Sequence, residues 1–283
     1  MSSIQNQNIV LLGLPGSGKS KVAQALQNQF GCKVLFKEDV KVENKQIQFT
    51  RPGSYEWHDL DCLPDLLTQN LGGIGFCDVH VYCIIDIRSV LPMETLLWAN
   101  NMLQKMINVA DGIVFSFSEN SSLNDQAWWG SWIKKQTANS QIPIVRMLNQ
   151  NLPSNFSGFE KRAVGQVNVA DDVTVDNKGL DNSTNNQLTE QKNECFDFTL
   201  ERVMLDHLLM VLDNARQNHG INITRVTGVL NTFEYANLVQ IEGTPYRWDT
   251  FAADSEEKIG TLTVCGTGLN QAWLTEMIQA CKV

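Results

Sequence analysis

The sequence predicts an α/β fold, a doubly wound parallel sheet followed by a smaller C-terminal α+β domain. Three observations predict it. Short apolar runs alternate with amphipathic stretches over residues 8–148. One of these junctions carries GLPGSGKS at residues 13–20. A polar tract rich in Asn, Asp, Ser and Gly then interrupts the pattern, which restarts near Glu194 with more strands than helices. The domains read as 1–150, a linker over 151–194 expected to be partly disordered, and 195–283.

The elements follow in order. NIVLLG (8–13) is apolar throughout and ends in glycine, as a strand buried on both faces does. KSKVAQALQNQF (19–30) places Val22, Ala23, Leu26 and Phe30 at helical spacing. KVLFKED (33–39) and KQIQFT (45–50) read as strands, and RPGSYEW as a turn, because Pro52-Gly53 breaks regular structure. LPDLLTQNLGG reads as a short helix. VHVYCIID (79–86) is a β-branched strand ending on Asp86. Residues 91–108 form a helix with Pro92 in its first turn, and GIVFSF (112–117) is a strand. Residues 121–136 form a capped helix bearing Trp128, Trp129 and Trp132, of which the adjacent pair cannot both face inward. IPIVRML (142–148) closes the first sheet.

In the second domain, FDFTL (196–200) is followed by the helix 201–217, where Val203, His207, Leu208, Val211 and Leu212 lie on or near one inward face. Strands follow at 222–232, 236–243 and 260–266, then a terminal helix with Leu269, Trp273, Met277 and Ile278 inward. The expected order is β-α-β-β-β-α, with helices on one face of an antiparallel sheet.

Composition excludes several functions. Hydrophobic residues make up 43% of 283 residues and charged residues 19%, enough for a substantial core. Lys and Arg number 22 against 31 Asp and Glu, a formal charge of −9, so nucleic acid is not the expected partner. No segment approaches the ~18 apolar residues of a membrane span, and no export signal is recognisable, so the expected location is cytoplasmic. The seven cysteines include no CxxC pair and are expected to be reduced thiols.

GLPGSGKS fits G-x-x-x-x-G-K-[ST] at Gly13, Gly18, Lys19 and Ser20, between a strand and a helix, as a phosphate-binding P-loop requires. The first domain therefore reads as a P-loop NTPase sheet. Glycine backbone lets successive N–H groups converge on phosphate, with Gly16 and Ser17 supplying donors beside Gly18 and the helix N-terminus. Lys19 reaches the β- and γ-phosphates, and the Ser20 hydroxyl is placed to coordinate Mg²⁺. Hydrolysis also needs a carboxylate to help hold Mg²⁺. Asp86 is the candidate; the other reading makes it an N-cap or turn residue for the following helix. Glu38 and Asp39 stand as alternatives.

Three stretches together resemble the CobW-type GTPases, a P-loop family linked to metal insertion and cobalamin synthesis. NIVLLGLPGSGKSKVAQAL is similar to the family's opening strand and loop. HVYCIIDIRSVL, a helix, then VADGIVFSFSE is similar to its strand ending in Asp and its strand leading to the guanine-reading motif. NITRVTGVLNT, LVQIEG, Trp248 and LTVCGTGLNQAWL follow the order of its C-terminal domain. The resemblance implies GTP (or ATP) with Mg²⁺, hydrolysis coupled to metal or cofactor handling, and a C-terminal domain that contacts a client protein.

Departures accompany it. The family's C-x-C-C metal motif is absent, so no metal-site cysteines are carried over. Its E-x-x-G switch has only FTRPGSYE (49–56) as a candidate. Ser116-Phe117-Ser118-Glu119 stands where the family has [NT]-K-x-D. Glu119 then accepts from the guanine N1 and N2 hydrogens while Phe117 stacks on the base; in the other reading base recognition is lost and Glu119 begins a helix. Arg225 and Gly228 match an R-x-K-G turn in which Thr227 replaces the lysine. Beside a slow GTPase stand two alternatives: a P-loop small-molecule kinase, for which Arg51, Arg88 and Arg146 are too dispersed to form a lid, and a non-catalytic, nucleotide-gated interaction protein.

Overall fold

The computed structural model describes residues 4, 8–32, 34–35, 40–43, 46–49, 53–56, 79–91, 96–137, 141–162, 194–218, 221–253 and 259–283. The first domain is built on a six-stranded sheet, all parallel, in the order β2-β5-β1-β6-β7-β8. Its strands are β1 (Asn8–Leu12), β2 (Val34–Leu35), β5 (Gly53–Glu56), β6 (Val79–Asp86), β7 (Gly112–Ser116) and β8 (Ile144–Arg146). A separate antiparallel pair joins β3 (Val40–Glu43) to β4 (Gln46–Phe49).

Alternate residues of each central strand enter two different cores. Ile9, Leu11, Tyr82, Ile84 and Val114 pack under α1 (Lys19–Phe30) with Val22, Ala23 and Leu26. Val10, Leu12, Val81, Cys83, Ile85, Ile113 and Phe115 pack under α2 (Leu97–Val109) and α3 (Leu123–Gln136). Helices on both faces explain why these strands are apolar throughout rather than alternating. Burial pushes the Cys83 thiol up to about 12, with the charge of Lys19 working against it.

Several expectations change here. RPGSYEW was expected to turn, but Gly53–Glu56 is a strand lying between β2 and β1. Pro-Gly can punctuate the start of a strand as well as a reversal, and here the parallel partners on both sides decide. The helix expected from residue 91 begins at Leu97. Residues 151–162, assigned by composition to the linker, pack on the first sheet: Phe159 meets Tyr82 edge to face at 4.7 Å and Phe156 at 5.1 Å. The Asp111 carboxylate accepts from the Arg162 N–H at 2.8 Å. The average composition of the tract concealed three buried residues, Leu152, Phe156 and Phe159. Finally, two of the thiols are oxidised, as described below.

Trp129 and Trp132 are buried, and Trp128 packs edge to face on Trp129 from a half-buried position. LPDLLTQNLGG (63–73), expected to hold a short helix, lies outside the described residues, as do Cys62, Cys77, Pro92, Glu38 and Asp39.

The second domain is a five-stranded antiparallel sheet in the order β12-β11-β10-β13-β9. It comprises β9 (Glu194–Thr199), β10 (Asn222–Leu230), β11 (Val239–Thr244), β12 (Arg247–Ala252) and β13 (Thr261–Thr267). One face carries α4 (Leu205–Asn218) and α5 (Gln271–Gln279) over a single core that includes Leu208, Leu212, Ile241, Val264, Leu274 and Ile278. β12 is one strand more than expected: its apolar residues, Trp248, Phe251 and Ala252, do not fall on one alternating face. His207, expected on the inward face of α4, is exposed; Leu205 and Leu208 take the core positions on either side.

Cys195 and Cys265 face each other across β9 and β13 and form a disulfide, with Cα atoms 4.0 Å apart. This corrects the expectation of uniformly reduced thiols. The two lie 70 residues apart in sequence, and only the antiparallel register brings them together. Cys32, Cys83 and Cys281 are free and buried. No described helix is long and apolar enough to cross a membrane.

Candidate functional site

The loop at residues 13–20 links β1 to α1 at the C-terminal edge of the parallel sheet, where ligands of open α/β sheets bind. Gly16 (φ 77°) and Gly18 (φ 89°) take left-handed backbone that other residues adopt only with strain. Gly18 caps α1, so the helix N-terminus opens into the loop. The Lys19 side chain folds back over the loop and donates to the Gly13 and Leu14 carbonyls at 2.9 and 3.2 Å. It is 3% exposed. The Ser17 hydroxyl is buried and has no hydrogen-bond partner among the described residues. A buried, partnerless hydroxyl beside a left-handed glycine pair fits an oxygen-rich anion that would supply the missing acceptor. Ser20 is exposed at the first turn of α1 and lines the adjoining cleft.

The cleft measures about 610 Å³ and lies between the two domains. Its first wall is Pro15, Gly16, Gly18, Lys19, Ser20, Lys21, Arg88 and Phe117; the outward face of the second sheet supplies the other, including Arg225, Gln240, Glu242 and Asp249. The Cys195–Cys265 pair also lines it.

Asp86 sits where β6 ends, 1% exposed. It caps no helix. Its carboxylate accepts from the Arg88 backbone N–H at 3.0 Å, from Nε at 3.0 and 3.1 Å, and from Nη2 at 2.6 Å. Arg88 also reaches Asp249 on β12 at 3.1 Å. Burial works against the Arg88 charge, but the bonds to Asp86 and the nearby Asp249 hold its pKa above the ordinary value. The Tyr246 hydroxyl donates to the Asp86 carbonyl at 3.3 Å. Arg88 is therefore the joint at which the candidate metal carboxylate, the cleft and the second domain meet.

Phe117 takes left-handed backbone (φ 55°) and lines the cleft. The Arg88 guanidinium lies 3.8 Å and the Lys21 ammonium 4.5 Å from its ring centroid. A base stacked on this ring would compete with those cations. The Ser116 hydroxyl lies 2.6 Å from the Ser17 carbonyl and pins the end of β7 to the P-loop. Glu119 belongs to a 3-10 turn (Ser118–Asn120), is exposed, and does not line the cleft.

The structure thus brings Gly13, Gly16, Ser17, Gly18, Lys19, Ser20, Asp86 and Phe117 together and leaves Glu119 aside. Arg225, expected in a turn, lies within β10 and pairs with Glu242. Arg88, Lys21 and Asp249 were not foreseen as site residues. The sequence signal for Arg88 is its place two residues beyond a buried strand-ending Asp, within reach of that carboxylate. Among the described residues no group of three or more His, Cys, Asp or Glu could hold a metal ion.

No family model matches the chain, and no curated protein matches it significantly. Among solved structures, the Zn(II)-bound YjiA GTPase from E. coli aligns at 12% identity and a TM-score of 0.35, covering 97% of this chain and 98% of YjiA. A Zn(II)-bound triple mutant of YjiA gives the same identity and score over 98% and 99% of the two chains. The hydrogenase maturation factor HypB from Archaeoglobus fulgidus aligns at 12% identity and 0.29, over 51% of this chain and 81% of its own. Scores at this level say nothing of ligand or activity.

Proposed function

We propose that this chain binds a nucleoside triphosphate with Mg²⁺ at residues 13–20, GTP before ATP, and turns it over slowly. The observation that carries this reading is the loop itself: two left-handed glycines, a helix N-terminus, an inward-folded Lys19 and a partnerless buried Ser17 hydroxyl converge on one point. GTP and a link to metal or cofactor handling come from the sequence resemblance to CobW-type GTPases.

Lys19 would exchange two loop carbonyls for phosphate oxygens, gaining charge-assisted bonds in place of neutral ones. Ser20 would hold the metal ion, with Asp86 joining once Arg88 releases its carboxylate. Held there, Mg²⁺ would supply positive charge against the phosphates. The Asp86–Arg88 pair supports slow turnover, since the carboxylate is already engaged. If the altered catalytic parts cost about 4 kcal/mol, the rate falls about a thousandfold. The same pair favours a second reading, a nucleotide-gated interaction protein in which the second domain contacts a client and hydrolysis is absent.

Titration of the purified chain with GTP and with ATP, Mg²⁺ present, tests the reading. Saturable binding that is lost in Lys19→Ala is expected. Failure of the unaltered chain to bind either nucleotide would sink it.

A further inference from the structure

We propose that Arg225, on β10 of the second domain, is a phosphate contact of the nucleotide site, so that the site is incomplete without that domain. The proposal rests on the nucleotide reading above. Three observations carry it.

The first is distance. A methyl group built on Gly16 would lie 2.9 Å from Arg225 Nη1 and 2.3 Å from Thr244 Cγ2. The phosphate loop and the second sheet therefore touch through a residue with no side chain, and the guanidinium stands at the loop's own backbone. Glycine is needed at this position for its φ and equally for the approach of Arg225.

The second is charge. The chain carries a formal −9, yet the cleft is lined by four cations, Lys19, Lys21, Arg88 and Arg225, against two carboxylates, Glu242 and Asp249. A surplus of cations in an acidic protein, concentrated at a P-loop, suits a polyanion.

The third is availability. Arg88 is committed to Asp86, whose side chain is 1% exposed. Arg225 pairs with Glu242 at side-chain exposures of 33% and 23%, and Gln240 holds Glu242 from the far side at 3.0 Å. Arg225 is thus the arginine of the cleft that water can reach and that can exchange partners at small cost. Its planar fork suits two phosphate oxygens at once. Glu242 is then its competitor: it holds Arg225 in place and repels incoming phosphate. The exchange makes the second domain sense occupancy of the loop directly.

This assignment requires opposite signs for the two members of the pair. Arg225→Ala should weaken Mg²⁺–GTP binding about tenfold to a hundredfold, the range for one charge-assisted hydrogen-bond pair. Arg225→Lys should recover part of that loss. Glu242→Gln, which keeps shape and removes charge, should tighten binding. Affinities would be measured by calorimetry on the full chain, with circular dichroism melts confirming that each variant is folded. If the unaltered chain binds and Arg225→Ala binds within twofold of it, the proposal is overturned while the nucleotide reading stands. If Arg225→Ala and Glu242→Gln weaken binding alike, the pair is only an interdomain staple and the proposal is again overturned. An unaltered chain that binds no nucleotide overturns both.

Discussion

Removing the Arg88 guanidinium should destabilise the first domain far more than cutting its tie to the second. In Arg88→Leu, the Asp86 carboxylate keeps one donor, the backbone N–H of residue 88 at 3.0 Å, and loses Nε and Nη2. Asp86 is 1% exposed, so water cannot replace them. An uncompensated buried charge of this kind costs about 3–5 kcal/mol. The link from Arg88 to Asp249 is different: in its absence Arg88 keeps Asp86 and residue 249 keeps Arg247 at 2.7 Å, so neither group is stranded. Asp249→Asn, which keeps the side-chain shape and its hydrogen-bonding oxygen, should therefore cost about 1 kcal/mol. For a transition of this size each kcal/mol moves the melting temperature by about 2–4 °C, so Arg88→Leu should melt roughly 6–20 °C lower. The double variant Asp86→Leu/Arg88→Leu removes the stranded charge and should regain most of the loss. What stays lost is the contact of Arg88 with Phe117 and its tie to Asp249, about 1 kcal/mol each. Circular dichroism melts and urea titrations of the four proteins decide it. A cost under 1 kcal/mol for Arg88→Leu, or no recovery in the double variant, would refute the reasoning.

Two further outcomes are expected. Reducing Cys195–Cys265 opens a closure between residues 70 apart, so the second domain should lose about 4 kcal/mol in the chain-entropy account; urea unfolding with and without a reductant measures it. Gly112→Ala drives a methyl to within 2.3 Å of the Phe159 ring, and overpacking at this buried contact should cost about 1–3 kcal/mol in the same assay. A Gly112→Ala protein as stable as the parent would mean that residues 151–162 do not pack on the first sheet in solution.

The parallel sheet was legible because its period is simple. Strands buried on both faces read as unbroken apolar runs, and Asn8–Leu12, Val79–Asp86 and Gly112–Ser116 fall within the predicted stretches. The P-loop was legible because its chemistry is local: every donor it needs lies within eight residues. Other features depend on partners distant in sequence. Gly53–Glu56 is a strand because β1 and β2 flank it, which no local propensity records. The disulfide depends on the register of β9 against β13. The role of Arg88 depends on Asp249, 161 residues away, and that of Arg225 on the docking of the second domain against Gly16. The first half of the site was therefore readable along the chain, and the second half only across the interface.

Among the described residues, two of the contacts across that interface start at candidate nucleotide contacts and end on neighbouring strands. One runs from Gly16 to Thr244 at the end of β11. The Thr244 carbonyl accepts from Arg216 of α4 at 2.8 Å, and the Arg216 guanidinium lies 4.2 Å from the Trp248 ring centroid. The Arg216 side chain is 10% exposed, and this burial lowers its pKa to about 10, with Asp213 opposing. The other tie runs from Asp86 through Arg88 to Asp249 on β12. β11 and β12 are hydrogen-bonded neighbours, so the two ties grip adjacent strands of one sheet edge. A shift of the loop at Gly16 would bear on the first strand, and withdrawal of Asp86 would free Arg88 to engage Asp249 on the second alone. Phosphate and metal ion would thus act on the same hairpin from two points. Contacts on two neighbouring strands restrain the hairpin at two points, so a change at either candidate contact would bear on the same sheet edge.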